Sequence, residues 1–369
     1  MTGFETVTTK ERFEELANEG WDELVGAMRS PSPFFLHAWL GEWWRELADG
    51  RELRVHTANR DGRLVAAVPL ARRGRVLEFM AGEDAPLGDV LLREGEDGSV
   101  AAELVERAAG AGGYAFADLF GARHRTRLLE SPAARRLRLV ERVEAPVLDL
   151  SAGWEAVYRA KTSSKKRNLH GRRRRQLAEL GRVEVSVARS AEELEAALVD
   201  AFRIHELRWH GRPDSSRFAT PSGRRFNLAA FRALAPLGVP RIVTLSLDGR
   251  AIAFHAFLAF HRTMFVYRLG FDPALARHSP GLVNTLDTLE AAAAEGITRV
   301  EFLGGAERYK VELADGVEPL YEAIGLARGP TGHVRAAARL AGIRLRRRLK
   351  SSPTVMRLLG RAQQSSARS

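Results

Sequence analysis

The chain has 369 residues, of which 45% are hydrophobic and 28% charged, enough apolar material for two cores and too much for a disordered polymer. It has no cysteine, which excludes disulfides, thiolate metal sites and a cysteine nucleophile. The net charge of +11 is concentrated in two segments. Lys161 to Arg182 holds nine Lys and Arg against one acid, and the stretch from Arg328 onward holds eleven against none, so the remainder is net acidic. Each basic segment is expected either to contact phosphate-rich or anionic-lipid partners or to form a solvated helix face.

Met1 to Asn18 mixes charges of both signs and lacks the apolar region of a signal peptide, and no run of about 18 apolar residues predicts a membrane span. The protein is therefore expected in the cytoplasm or peripheral to the inner face of the membrane. Leu53 to Ala58 and Leu64 to Leu70 flank Asp61-Gly62-Arg63, a strong hairpin signal because the turn needs positive φ. A helical segment, Ala101 to Glu106, leads to a strand, Tyr114 to Gly121. Glu144 to Leu150 reads as the last strand of the first half, and Trp154 to Leu180 as a helical region broken near Thr162-Ser163-Ser164.

The second half repeats this plan. Pro240 to Leu245 and Ala251 to Leu258 flank a second Asp-Gly-Arg turn, 187 residues after the first. A helix, Leu286 to Glu295, then leads to a strand, Ile297 to Gly304, in which Glu301 lies 183 residues after Asp118. Two matches in the same order with nearly equal offsets predict an internal duplication. Alternating strands and helices predict an α/β fold with mixed sheets, divided at 1–150 and 151–328, with a basic tail over 329–369 that can be read as a helix.

The chemistry-bearing stretch runs from Met264 to Asp315. A β-rich run ends at Gly270-Phe271-Asp272. Ser279-Pro280 then reads as N-cap and first residue of a helix that Gly296 closes. A strand, a small-residue loop and a helix N-terminus make a ready anion site. Gly281 lets the backbone approach closely, and Arg277 and His278 add charge. Strand-loop-helix units with a glycine also occur without any such role.

Gly270-Phe271-Asp272-Pro273, Ser279-Pro280-Gly281 and Phe302-Leu303-Gly304-Gly305-Ala306-Glu307-Arg308-Tyr309-Lys310 resemble the CelD-type, or BioF-like, acetyltransferases of the GNAT superfamily, which are similar to the FemABX ligases. Phe202 to Trp209 and Pro33 to Trp44 resemble the same family, and together the matches cover about residues 30 to 327. The resemblance implies two tandem GNAT-like domains and acyl transfer from acetyl-CoA or another acyl-CoA to an amine or sugar, with a cell-envelope or polysaccharide precursor as one candidate acceptor. No metal is implied, and the ten histidines show no metal-ligand spacing. The pyrophosphate loop has one glycine, Gly281, where the superfamily has more. FemABX ligases, whose loop is also altered, use aminoacyl-tRNA. That alternative gives Lys165 to Arg175 the tRNA phosphates. A third reading is a non-catalytic basic binding module. No Gly-x-Ser-x-Gly or Walker sequence supports a hydrolase or NTPase.

On the implied site, Arg277, Ser279, Gly281, Leu282 and Gly270 are expected to hold coenzyme A. Tyr309 is expected to return a proton to the leaving thiolate, and Lys310 to hold a phosphate or an oxyanion. Glu307 and Asp272 are candidate bases, as is His205. Glu206, Trp209 and Arg268 are candidate acceptor contacts. Each has an alternative: a packed tyrosine, a surface lysine, an Asx turn at Asp272, and core packing for His205 and Trp209. His255 alternates with Phe254 and Phe257 and reads as a core histidine. The first half lacks counterparts of Ser279-Pro280-Gly281 and Tyr309-Lys310, and is expected to shape the acceptor groove. In the tail, Val334, Ala338, Ala341, Leu345 and Leu349 form one apolar stripe with Arg335, Arg339, Arg346 and Lys350 on other faces, a pattern that suits an anionic membrane surface. Packing back on the protein, or disorder, is the competing expectation.

Overall fold

A computed structural model describes residues 1–123, 126–209, 217–304 and 308–351. The first half runs β1 (Thr2–Val7), α1 (Lys10–Glu15), α2 (Trp21–Gly26), α3 (His37–Leu47), β2 (Arg51–Arg60), β3 (Arg63–Arg73), β4 (Val76–Phe79), β5 (Leu91–Leu92), α4 (Gly98–Gly110), β6 (Phe116–Ala122), α5 (Arg127–Glu130) and β7 (Leu137–Val143). A linking strand, β8 (Pro146–Asp149), follows. The second half runs α6 (Trp154–Lys161), α7 (Ser164–Ala178), β9 (Val183–Ala188), α8 (Ala191–Trp209), α9 (Pro221–Leu234), β10 (Pro240–Leu247), β11 (Arg250–Phe260), β12 (Thr263–Phe271), α10 (Pro280–Ala294), β13 (Arg299–Glu301), α11 (Arg308–Leu313), β14 (Gly316–Val317), β15 (Leu320–Gly325) and α12 (Gly329–Ser351).

Both expected hairpins form. Asp61 and Gly62, and again Asp248 and Gly249, take positive φ (53° and 78°, 49° and 77°), the backbone that a tight turn between twisted strands requires. The helical break falls where the sequence placed it. Thr162 is extended, and the Ser163 hydroxyl caps α7 by accepting the Lys166 N–H at 3.3 Å.

Two mixed sheets result, as expected of tandem GNAT-like domains. The first has the order β1-β2-β3-β4-β6-β15-β7, with β5 beside β3, and the second β14-β8-β13-β12-β11-β10-β9. Each has one parallel pair, β4 with β6 and β12 with β13, and is otherwise antiparallel. One expectation is corrected here. The strand read as the last of the first half, β8, pairs with β13 and β14 in the second sheet. Conversely, β15 enters the first sheet between β6 and β7. The hydrophobic pattern fixes a strand's faces and leaves its partner open.

The largest core lies between the halves. Phe34 meets Phe265 edge-on at 6.1 Å, and Trp39 meets Phe226 at 5.0 Å and Tyr267 at 5.3 Å. On the opposite face of the second sheet, Met264, Val266, Phe257 and Val300 pack against α10 through Leu289 and Ala292.

Candidate active site

The pairing of β12 with β13 runs over Thr263↔Arg299, Met264↔Val300 and Phe265↔Glu301 and then stops. Beyond it β12 continues to Phe271, while the chain after β13 turns off through Leu303, at positive φ (53°), to Gly304. The strands therefore splay, and a wedge opens beside the far half of β12. Beyond the wedge the chain runs through a 3₁₀ turn, Pro273–His278, into α10.

This turn gathers most of the expected donor residues. Asp272 is buried. Its Oδ1 accepts the Ala274 N–H at 3.0 Å and its Oδ2 faces the Arg250 guanidinium at 3.5 Å, so its carboxylate closes an Asx turn. Ser279 is the N-cap of α10, but in the left-handed region (φ 56°), and its hydroxyl caps none of the first-turn N–H groups. That differs from the expected serine cap, which needs an extended backbone. Gly281 is required sterically: a Cβ there would lie 2.8 Å from the Phe271 ring. Gly270 is also a packing glycine, since its Cβ would lie 2.7 Å from Phe254 and 3.5 Å from Ile204 of α8. Leu282 is half-buried in the first turn.

The basic helix α7 is anchored over this turn. Arg173 donates to the Arg277 carbonyl at 2.6 Å, Arg174 pairs with buried Asp287 of α10, and Lys166 pairs with Glu312 of α11 at 3.2 Å. Arg277 itself is exposed and donates to His278 at 2.8 Å. Lys165, Arg172 and Arg175 remain exposed along α7.

Lys310 is not the surface lysine of the alternative reading. It is buried, and its ammonium donates to the Gly304 carbonyl at 3.0 Å, at the mouth of the wedge. Tyr309, beside it, is half-buried. His255 lies on β11 opposite Leu269 of β12, 1% exposed, with neither ring nitrogen hydrogen-bonded among the described residues. Burial, with a smaller contribution from the Lys310 charge, holds its imidazole down to about 3, so it stays neutral.

The candidate base His205 and the expected acceptor contact Glu206 lie on α8, across the second sheet from α10. His205 is buried on α8, its ring 5.2 Å from Phe218, on the sheet face opposite α10. Glu206 pairs with Arg224 at the surface. Arg268 lies over the Tyr267 ring, 4.6 Å from its centre. Glu307 and the Trp209 side chain lie outside the described residues.

The first half has the same wedge, and it is plugged. The β4–β6 pairing ends at Leu77↔Ala117, and the chain from Pro86 to Asp89 threads into the gap. The Gly88 N–H donates to the Gly121 carbonyl at 3.2 Å. A Cβ on Gly88 would lie 2.7 Å from the Phe120 carbonyl, and one on Gly121 2.8 Å from the Gly88 nitrogen.

Residues 164–311, from α7 to α11, match the model of an acetyltransferase (GNAT) domain. The chain carries a GNAT domain. No curated protein matches it. Among solved structures, the C-terminal domain of a putative lysylphosphatidylglycerol synthetase from Agrobacterium fabrum is similar over 89% of this chain and 95% of its own, with 15% identity and a TM-score of 0.58. FemX is similar over 87% and 96%, with 8% identity and a TM-score of 0.59. The L-PGS of Bacillus licheniformis covers 90% and 97%, with 14% identity and a TM-score of 0.54. These likenesses, at such identities, concern the fold, and they extend over both halves of the chain.

Proposed function

We propose that the GNAT domain transfers an acyl group from a coenzyme A thioester to an amine or hydroxyl, and that α10 receives the donor's pyrophosphate. The observation that carries this is the anchoring of α7 on the β12–α10 turn. An uncapped helix N-terminus favours an anion, and here a helix with three exposed cations is fixed beside it by Arg173 and Arg174. Alternate N–H groups of β12 beyond Phe265, those not directed at β11, are left to the wedge, where they would polarise the thioester carbonyl. The acceptor's nucleophile attacks that carbonyl and gives up its proton to solvent water, the carbon–sulfur bond breaks, and Tyr309 passes a proton to the thiolate and is reprotonated from solvent. Lys310 would steady the oxyanion. His255, neutral and buried, has no part as a base.

A second reading, transfer from an aminoacyl-tRNA, is favoured by the same exposed face of α7, where Lys165, Lys166 and Arg172 line a groove. The two are separated by isothermal titration of the full chain with coenzyme A. Micromolar binding that Gly281→Glu abolishes is expected on the first reading, and Lys310→Ala should keep that binding while lowering turnover of acetyl-CoA 10- to 100-fold. No heat with coenzyme A, together with salt-sensitive binding of tRNA, would overturn it.

We also propose that the solvent face of α12 rests on an anionic membrane surface. Among the described residues no helix is long and apolar enough to cross a membrane. Val334 and Leu345 of α12, however, are 68% and 58% exposed, beside exposed Arg335, Arg344 and Arg346.

A further inference from the structure

A chamber of about 610 Å³ lies between the two halves, away from the wedge. Its floor is the second sheet at the end where β12 and β13 are still paired, through Phe265, Arg299 and Glu301. Its wall is the plug of the first half, Leu87 to Asp89, with Arg123 beyond it and Phe35 opposite.

Arg29 and His261, both exposed, also line it, and of its remaining charges most are neutralised. Arg123 reaches Glu301 at 2.7 Å and Glu318 at 3.7 Å, and Arg299 reaches Glu301 at 2.8 Å and Glu318 at 2.9 Å. Two cations and two anions thus form a closed square. Asp89 stands outside it. Its Oδ1 accepts the N–H groups of Val90 at 2.7 Å and Leu128 at 3.2 Å, and among the described residues no Lys, Arg or His pairs with it. Enclosure pushes its carboxyl up to about 7, against the smaller pull of those N–H groups. Asp89 is half-buried, and a carboxylate so placed without a counter-cation carries a cost that a ligand bringing the cation removes.

We propose that this interdomain chamber binds a primary ammonium group, with Asp89 as its counter-ion and Phe35, Leu87 and Phe265 around the attached alkyl chain. The inference rests on the chamber's charge and walls and stands independently of the donor assignment above. Two neighbouring features fit it. The Arg–Glu square holds the floor carboxylates away from the ligand, so a single acceptor defines the seat. The apolar walls favour an alkylamine over a strongly hydrated inorganic cation.

The probe is n-butylamine, with n-butanol as its uncharged counterpart, titrated into the ¹⁵N-labelled full chain. Butylamine should shift the amides of Gly88 to Val90 and Thr126 to Leu128, and butanol at equal concentration should not. Asp89→Asn keeps the acceptor for both N–H groups and should weaken the amine at least tenfold. Equal shifts from the two probes, shifts confined to other surfaces, no shift at all, or undiminished binding by a folded Asp89→Asn would each overturn the proposal. If that variant does not fold, the comparison of amine with alcohol on the native chain decides alone.

Discussion

Gly281, Lys310 and Asp89 each owe their character to a contact made only in the fold. Gly281 and Lys310 were visible because a motif carries them, and the structure adds a reason for each: contact with Phe271, and a buried bond to the Gly304 carbonyl. Asp89 was invisible. It belongs to no motif, and its character comes from contact with a segment 39 residues away, at Leu128. That placement makes a prediction about stability. The folded carboxyl titrates near 7, above its ordinary value of 3.8, so between those limits the native chain holds a proton that the unfolded chain has released. Stability linked to this group therefore rises as pH falls through 7 toward 4, and the full penalty of the ionised form applies above 7. His255 and His56, held down to about 3 and 4 by burial, act the other way below 6.5, but they act equally in native and variant proteins. Asp89→Asn should thus be more stable than the native chain by about 1–2 kcal/mol at pH 8, with the difference gone near pH 4. Denaturant melts at the two pH values measure it, and a difference independent of pH would show that Asp89 is not the titrating group.

At the scale of elements, periodicity and turn chemistry were reliable and faces were less so. The hairpins, the break at Thr162 and helix α10 lie within a few residues of their expected positions. The tail is instructive because its helix was legible and its buried face was not. Ala336 and Ile343 are buried against the first sheet, and Arg339 donates to Asp118 at 2.7 Å and Glu322 at 2.6 Å. The stripe of Val334, Ala338, Ala341 and Leu345 points outward instead. Two alanine-rich faces are nearly equal in apolar area, so two distant carboxylates decide between them. Removing α12 would therefore expose the first sheet and confound a binding test, whereas changing its solvent face would not. Arg335, Arg344 and Arg346 replaced together by Gln should abolish sedimentation with phosphatidylglycerol vesicles at low salt. The native chain should bind and lose most of that binding when salt is raised several-fold, since alanine gives little area for insertion. Retention of vesicle binding by the triple variant would remove the membrane from the reading of this helix.

For the whole molecule, the duplication was legible in two Asp-Gly-Arg turns and their matched strands, but the exchange between the halves was not. A strand's sequence states which face is apolar, and both sheets offered β8 a suitable edge. In the structure β7 reaches the first sheet only through β15, which comes from beyond residue 319, while β13 and β14 depend on β8 from before residue 150. The shared core tightens this dependence, since Phe34 and Trp39 of the first half are buried on Phe265, Tyr267 and Phe226 of the second. A cut after Leu150 therefore leaves neither piece whole. Residues 1–150 would carry β6 and β7 with unpaired edges and several buried aromatic rings turned to water, at a cost of about 3–5 kcal/mol for each large ring exposed. That exceeds what one domain of this size holds in reserve. We expect residues 1–150 expressed alone to lack a cooperative thermal transition and to aggregate, and residues 151–369 to do the same or melt far below the intact chain. Refolded together from denaturant, the two pieces should associate one to one and regain a single transition, because every strand pair would then be available. Size-exclusion chromatography and calorimetry of the mixture provide the measurement. A first piece that melts cooperatively on its own at the temperature of the intact chain would mean that the exchanged strands are ornaments on two independent domains, and that the chamber between them has no fixed walls.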